Sequence, residues 1–332
     1  MLAPIAWSTP PAAYGPWEQV TSHLTEGLVK RGLDVTLFAT ATSRTAAKLV
    51  ATTAAGYAEQ EGQDPKVLEY LHISQVMGAA NQFDIVHNQF DFMPLGYATL
   101  VDTPMVTTIH GFSSPRIVPV YERYNDSSDY VSISDSDRND KLDYIATVYN
   151  GVDRQQFTFN EQPADYLLYF GRIHPDKGAA EAVAIARASG RPLWIAGLIQ
   201  DRDYWDTQVE PHVDGENVRY LGNVGPAERN RVLGNAFAML HPISFDEPFG
   251  LSVAESMMTG TPVIAFRRGS MPELIEHGKT GFLTDSVAGA VDLVSACGDL
   301  NRWEISESAR DRFSVERMVE GYIEVYRKIL SR

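Results

Sequence analysis

The chain has 332 residues, 44% of them hydrophobic and 21% charged, which suits a soluble globular enzyme too long for one core, so two domains are expected. A formal charge of −15 argues against a nucleic-acid partner and against a basic membrane-docking face, and it fits a protein free in the cytoplasm. Cys297, the only cysteine, excludes an intrachain disulfide and a thiolate metal cluster, and the lack of a long apolar run or a signal-peptide pattern predicts no stable membrane insertion.

Short apolar runs alternate with longer amphipathic stretches, the pattern of βαβ units on parallel sheets. The chain opens almost inside a strand, Met1-Leu2-Ala3-Pro4-Ile5, short enough to suggest a truncated strand or a few residues missing upstream. A helix is predicted over Trp17–Lys30, with Pro16 comfortable at its first position because that N–H would lack an intrahelical partner. A strand follows at Val35–Phe38, and Ala41–Gln63 is small and polar enough to be a flexible surface excursion. A helix at Pro65–Ala80 precedes strands at Asp84–His87, Met105–Ile109, Tyr130–Ile133 and Ile145–Val148. The turn Asn150-Gly151-Val152-Asp153 and the polar stretch Asn160-Glu161-Gln162-Pro163 mark a boundary, giving domains 1–155 and 156–312. Strands restart at Tyr166–Phe170, Leu193–Ala196, Val218–Leu221, Phe237–Leu240 and Pro262–Phe266, which two parallel sheets accommodate better than one. In the last segment, 313–332, the helix Ser314–Leu330 carries Met318, Val319, Tyr322, Ile323, Val325, Tyr326 and Ile329 on one broad apolar face.

Several residues sit where open α/β sheets bind ligands, at the carboxyl ends of strands. After Phe170-Gly171, Arg172 offers a planar fork and Lys177 a point charge, a combination suited to a diphosphate, although taken alone the two also read as surface cations. His110 closes the strand Met105–Ile109, where a lone histidine reads first as a hydrogen-bonded scaffold residue. Trp7, Tyr14 and Trp17 could stack on an acceptor sugar or pack under the loops of the first domain. In Glu247-Pro248-Phe249-Gly250-Leu251-Ser252-Val253-Ala254-Glu255, Pro248 keeps Glu247 out of helical geometry, at the mouth of a helix that begins near Gly250. The backbone N–H groups of Phe249, Gly250 and Leu251 would be first-turn donors converging on that mouth, where a polyol would suit. Glu255 falls about 7 Å further along the axis at ~1.5 Å per residue, within reach of a second hydroxyl-bearing group joined to the first.

The segment from His241-Pro242 to Gly281-Phe282-Leu283, with both glutamates and the Met257-Met258-Thr259-Gly260-Thr261-Pro262 helix stop, resembles the donor-site signature of retaining GT-B glycosyltransferases, family 4, the glycogen-synthase-like group. The Gly171-Arg172…Lys177-Gly178 element is similar to the same family's, as are His110 and His87 in their strand motifs. Tyr14-Gly15-Pro16 stands where many relatives have a glycine pair approaching the donor phosphate; proline as the second residue removes one phosphate donor and leaves Gly15. The resemblance implies two Rossmann-like domains with parallel sheets facing across a cleft that holds the active site, the first on the acceptor side, the second on the nucleotide-sugar side, with the terminal helix crossing back to the first.

It also implies the activity: transfer of a hexosyl group from a nucleotide sugar, UDP-linked in the first instance, to a hydroxyl of a soluble small-molecule or saccharide acceptor, with retention and without a metal. The catalytic group would be His110, Arg172, Lys177 and Glu247, with Gly15, Phe249, Gly250, Leu251 and Glu255 binding the donor: Arg172 and Lys177 on the diphosphate, Glu247 and His110 on the sugar, Glu255 on the ribose. His87, Glu273 and the Asn150-Gly151 turn are given structural or positioning roles, and no cofactor beyond the co-substrate is expected. A nucleotide-sugar hydrolase or epimerase and a non-catalytic sugar-nucleotide-binding subunit are the rival readings. A dinucleotide oxidoreductase is disfavoured because no GxGxxG follows the first strand.

Overall fold

The computed structural model of the chain describes residues 1–12, 14–112 and 114–332, in two compact units: Met1–Gly151 with Val315–Arg332, and Val152–Ser314. The crossings fall inside the Asn150-Gly151-Val152-Asp153 turn and at Ser314–Val315, against expected domain ends at 155 and 312.

Unit 1 pairs β1 (Thr36–Ala39), β2 (Lys48–Ala51), β3 (Val86–Asn88), β4 (Met105–Ile109), β5 (Asp129–Ser132) and β6 (Tyr144–Thr147), all parallel. The opening run contributes a single pairing residue: Leu2 bridges Phe38 on one side and Asn88 on the other and so joins β1–β2 to β3–β6. Its N–H donates to the His87 carbonyl at 2.8 Å and its carbonyl accepts from Gln89 at 3.0 Å, after which Pro4, with no N–H, cannot extend the ladder. The segment Ala41–Gln63 is not the flexible excursion that its composition suggests. Lys48–Ala51 is β2, in register with β1, and Tyr57 and Ala58 donate to the Ile5 and Ala6 carbonyls. Four strand residues among threonines and alanines carry too little periodicity to stand out, but Val50 and Leu49 still pack on apolar neighbours. The helices here are α1 (Pro16–Lys30), α2 (Pro65–Gly78), capped by the Asp64 side chain, and α3 (Val118–Arg123), over a core that includes Leu2, Ile5, Phe38, Ile73, Val86 and Tyr130.

Unit 2 is a six-stranded parallel sheet of β7 (Leu167–Phe170), β8 (Leu193–Ala196), β9 (Val218–Tyr220), β10 (Ala238–His241), β11 (Val263–Phe266) and β12 (Gly281–Thr284). Its spatial order is β12–β11–β10–β7–β8–β9, the doubly wound arrangement, with the order reversing between β7 and β10. The intervening helices are α4 (Ala179–Ser189), the single turn α5 (Arg202–Tyr204), α6 (Pro226–Asn235), α7 (Leu251–Met258), α8 (Met271–Leu274), α9 (Val287–Val294) and α10 (Arg302–Arg312). Cys297 is buried in this core beside Val294 and Ala290. The chain then returns to unit 1 as α11 (Val315–Leu330), which buries Met318, Val319, Tyr322, Val325 and Ile329, while Ile323 is only half-buried. Among the described residues no helix is long and apolar enough to cross a membrane.

Arg302, at the start of α10, holds unit 2 together in a way that no hydrophobic pattern announces. Its guanidinium donates to the carbonyls of Asn160 (2.8 Å), Ala236 (3.2 Å) and Gly234 (2.8 Å) and to the Thr261 hydroxyl (2.7 Å), and burial pulls its pKa down to about 10. Replacing it by methionine strands these buried acceptors, so Arg302→Met should lower the unfolding free energy by about 3 kcal/mol or more in a denaturant titration.

His72 of α2 gives unit 1 an acid-sensitive point. Its Nε2–H donates to the Ala3 carbonyl at 3.0 Å and its Nδ1 shares a 3.0 Å hydrogen bond with the Thr52 hydroxyl, and burial pushes the ring's pKa down to about 4 from 6.5. A depressed imidazole pKa leaves stability intact above 6.5 and removes it as pH falls toward 4, because the unfolded chain takes up the proton first. Glu18, pushed up to about 7 by burial, acts in the opposite sense, so the share of His72 is read as a difference. The stability gap between the wild type and His72→Gln should narrow by on the order of 3 kcal/mol between pH 6.5 and 4.

Candidate functional site

The reversal in unit 2 lies between β7 and β10, and both strands lead from it into polar loops: Gly171-Arg172…Lys177 after β7, and Pro242…Glu247 after β10. These loops bring Lys177 and Glu247 together, with Nζ to Oε2 at 2.5 Å and only 14% and 15% of the two side chains exposed. The face of Phe245 lies 4.5 Å from the same ammonium. His241, the last residue of β10, completes the cluster with Nε2 at 3.9 Å from Glu247 Oε2. Burial, and after it the nearby Lys177, pull the His241 pKa down to about 3, so the ring is neutral.

Two close backbone approaches set this geometry. Gly178 follows Lys177 in a left-handed conformation (φ 74°), and a Cβ there would lie 2.1 Å from the Pro242 carbonyl oxygen, so only glycine lets the two loops touch. Ser244 N–H donates to the Asp176 carbonyl at 2.9 Å and pins the contact. On the other side, Gly269 (φ 51°) passes so near that a Cβ would lie 2.4 Å from the Glu247 backbone nitrogen and oxygen. Ser270 then donates from its backbone to Glu247 O (2.9 Å) and from its hydroxyl to Phe249 O (2.7 Å), which fixes the loop from above. Gly250, also left-handed, caps α7, so Leu251 is its first helical residue, while the Phe249 ring turns into the core against Phe313. The Glu273 backbone carbonyl accepts from Arg312.

The other two charged residues expected at the site have partners of their own. The Arg172 guanidinium is hydrogen-bonded to Gln200. Glu255 on α7 pairs with Arg229 of α6 at 3.2 Å; burial raises its pKa and Arg229 works against that rise. In unit 1, His110 stands just past β4, buried, its Nε2–H donating to Gln89 Oε1 at 2.6 Å and its ring stacked on Trp17 at 5.4 Å, with burial pushing its pKa down to about 4. Gln89 in turn donates to Thr108 Oγ1 and to His87 Nε2, and the His87 Nδ1–H donates to Tyr326 of α11 at 2.6 Å. Thr108 also shares a 2.7 Å hydrogen bond with Tyr322. Trp17 therefore packs on His110, and Trp7 meets Tyr14 edge-on at 6.4 Å. Gly15 caps α1, beside Pro11 and the Glu18 carboxylate.

Arg229, Gln200 and Gln89 are absent from the residues that sequence reading singles out, and His241 enters it only as the start of the resembling segment, with no role. His241 had a usable signal, a polar residue closing a fully buried strand at the sheet's reversal; Arg229 had none, since a charge on a solvent-facing helix pattern is unremarked. Among the described residues no three His, Cys, Asp or Glu side chains gather as a metal-binding group.

Comparison with known proteins identifies the family. Residues 151–313 match the family model "Glycosyl transferases group 1", and residues 17–156 match "Glycosyltransferase Family 4". Glycogen synthase of Mycobacterium tuberculosis is 29% identical over 217 residues, covering 56% of this chain and 52% of that protein. The chain spans about half the length of the curated relatives it matches. Among solved structures, sucrose-phosphate synthase of Thermosynechococcus elongatus superposes with a TM-score of 0.78 at 18% identity, over 98% of this chain and 97% of that one. Anabaena HepE in complex with UDP-glucose gives 0.74 at 17% identity, over 96% and 97%. At these identities the likeness is one of fold, while the two family models between them run through most of the sequence. The chain belongs to the family 4-like glycosyltransferases of the GT-B fold.

Proposed function

We propose that the chain transfers a hexosyl group from a nucleotide sugar, UDP-linked, to a hydroxyl of a soluble acceptor with retention at the anomeric carbon. The observation that carries this reading is the Lys177–Glu247 pair at the sheet's reversal, a shielded cation and a sugar-competent carboxylate side by side. Binding of UDP-glucose by Anabaena HepE, a protein of the same fold, supports the choice of donor. Lys177, and Arg172 once released from Gln200, stabilise the charge that gathers on the departing diphosphate, the place where fixed cations lower a barrier most. Glu247 accepts from the hydroxyls of the transferred sugar, Glu255 from those of the ribose, and His110 is the residue of unit 1 that this reading assigns to the sugar. In the retaining step the anomeric carbon–phosphate oxygen bond breaks, the acceptor oxygen bonds to that carbon on the same face, and its proton passes to the departing phosphate oxygen. No step calls for a divalent ion.

Incubation with UDP-glucose and a panel of hydroxyl acceptors should yield a glycoside of the donor's anomeric configuration, with activity retained in EDTA. Loss of activity in EDTA that magnesium or manganese restores would refute the charge assignment, and release of free glucose regardless of acceptor would make the protein a hydrolase. Lys177→Ala should lower kcat/KM about a hundredfold or more, near 3 kcal/mol of transition-state stabilisation.

The division of labour is separable by affinity and rate. Glu255→Gln should weaken calorimetric UDP binding more than it slows saturated turnover, because the ribose contact persists from ground state to transition state. His110→Ala should do the reverse, with UDP affinity nearly intact and kcat reduced. Normal UDP affinity in Glu255→Gln would show that the ribose lies elsewhere.

A further inference from the structure

His241 is the buried polar group that the proposed chemistry leaves unused. Its Nε2 is shut off from solvent and has no hydrogen-bond partner among the described residues, although a stranded ring nitrogen is ordinarily destabilising. The Glu247 carboxylate lies close by, its Oε2 3.9 Å from the nitrogen, too far for a hydrogen bond. Lys177 Nζ holds the same oxygen at 2.5 Å. A neutral imidazole facing a carboxylate carries its proton on the facing nitrogen, so His241 is a donor whose nearby acceptor is held by the Lys177 ammonium.

Resting on the donor reading above, we propose that His241 is a positioning residue that takes over Glu247 when a diphosphate draws Lys177 away. A diphosphate brings more negative charge to Lys177 than a single carboxylate does, and its arrival frees Oε2. Closing the gap from 3.9 Å to an ordinary hydrogen-bond length of about 2.9 Å needs a side-chain adjustment on the order of 1 Å, with no change of backbone. Glu247, left at the mouth of α7 without its ammonium, is then held by a neutral donor. A neutral partner leaves the carboxylate its full charge for accepting from sugar hydroxyls, which a retained ammonium would partly cancel. The Gly269–Ser270 clamp on the Glu247 backbone keeps the carboxylate within reach throughout.

The test compares the wild type with His241→Leu, which fills the same buried volume without a donor, and His241→Gln, whose amide N–H lies near the position of Nε2. UDP affinity should stay within about twofold in all three, while the affinity added by the glucosyl group of UDP-glucose, and kcat, should fall about tenfold or more in His241→Leu and largely recover in His241→Gln. Unchanged kinetics in His241→Leu overturn the proposal, and so does parallel loss of UDP binding and thermal stability, which marks a packing role alone. Inorganic pyrophosphate probes the hand-over without any assumption about the nucleotide: in protein labelled with nitrogen-15, the Nε2 proton of His241 should shift downfield on its addition, and a signal that does not move overturns the proposal. If pyrophosphate shifts the signal while UDP-, ADP- and GDP-glucose all fail to bind, the donor reading falls and the Lys177-to-His241 exchange stands.

Discussion

The arrangement of unit 2 turns on one contact that a protein interior ordinarily penalises: an ammonium and a carboxylate brought to 2.5 Å with little water around either. Such a pair recovers its desolvation cost only when both members are held in place. Here the holding is done by backbone. Pro242 lies against Gly178, Glu247 against Gly269, and the Ser244 and Ser270 amides tie the three loops that leave β7, β10 and β11. None of these groups needs to touch a ligand for the site to depend on it. The parallel sheet supplies the rest, since the reversal of its strand order makes β7 and β10 neighbours and brings their loops together.

Unit 1 handles its polar groups differently. Where unit 2 concentrates charge at strand ends, unit 1 buries a neutral hydrogen-bonded chain, His110–Gln89–His87–Tyr326 with Thr108 and Tyr322 alongside, in which both ring nitrogens of His87 and Nε2 of His110 have partners. Burial, more than any neighbouring charge, keeps these imidazoles uncharged. A neutral hydrogen-bonded network fixes ring orientation without the sensitivity to salt that an ion pair would bring.

Much of this architecture was legible in the sequence, because buried parallel strands are short apolar runs and α11 repeats its apolar residues at helical spacing over four turns. The alternation predicts both sheets and most strand ends within a residue or two; it leaves out β2, whose four residues sit in a composition typical of loops, and β12, whose short run Gly281-Phe282-Leu283-Thr284 holds only two large apolar residues. The pairing of Lys177 with Glu247 could not be read from residue order, because seventy positions separate them and only the strand order makes β7 and β10 neighbours. The partners of Arg172 and Glu255 were likewise invisible: Gln200 and Arg229 belong to local patterns that look like solvated surface, and their relevance comes from where the sheet sets them down.

The bonds from Tyr322 and Tyr326 to Thr108 and His87 give the end of the chain a reach that its distance in sequence conceals. Because α11 returns from unit 2 to place these two hydroxyls against β3 and β4, the chain must be synthesised through Tyr326 before the polar interior of unit 1 can close. On the ribosome, residues 1–151 would emerge with Thr108 and the histidine chain still lacking two partners, and would wait for the whole of unit 2 to follow. Unit 1 is therefore discontinuous in time as well as in sequence, and a nascent chain holding only its first segment presents to chaperones a sheet whose inner hydrogen bonds are not yet complete.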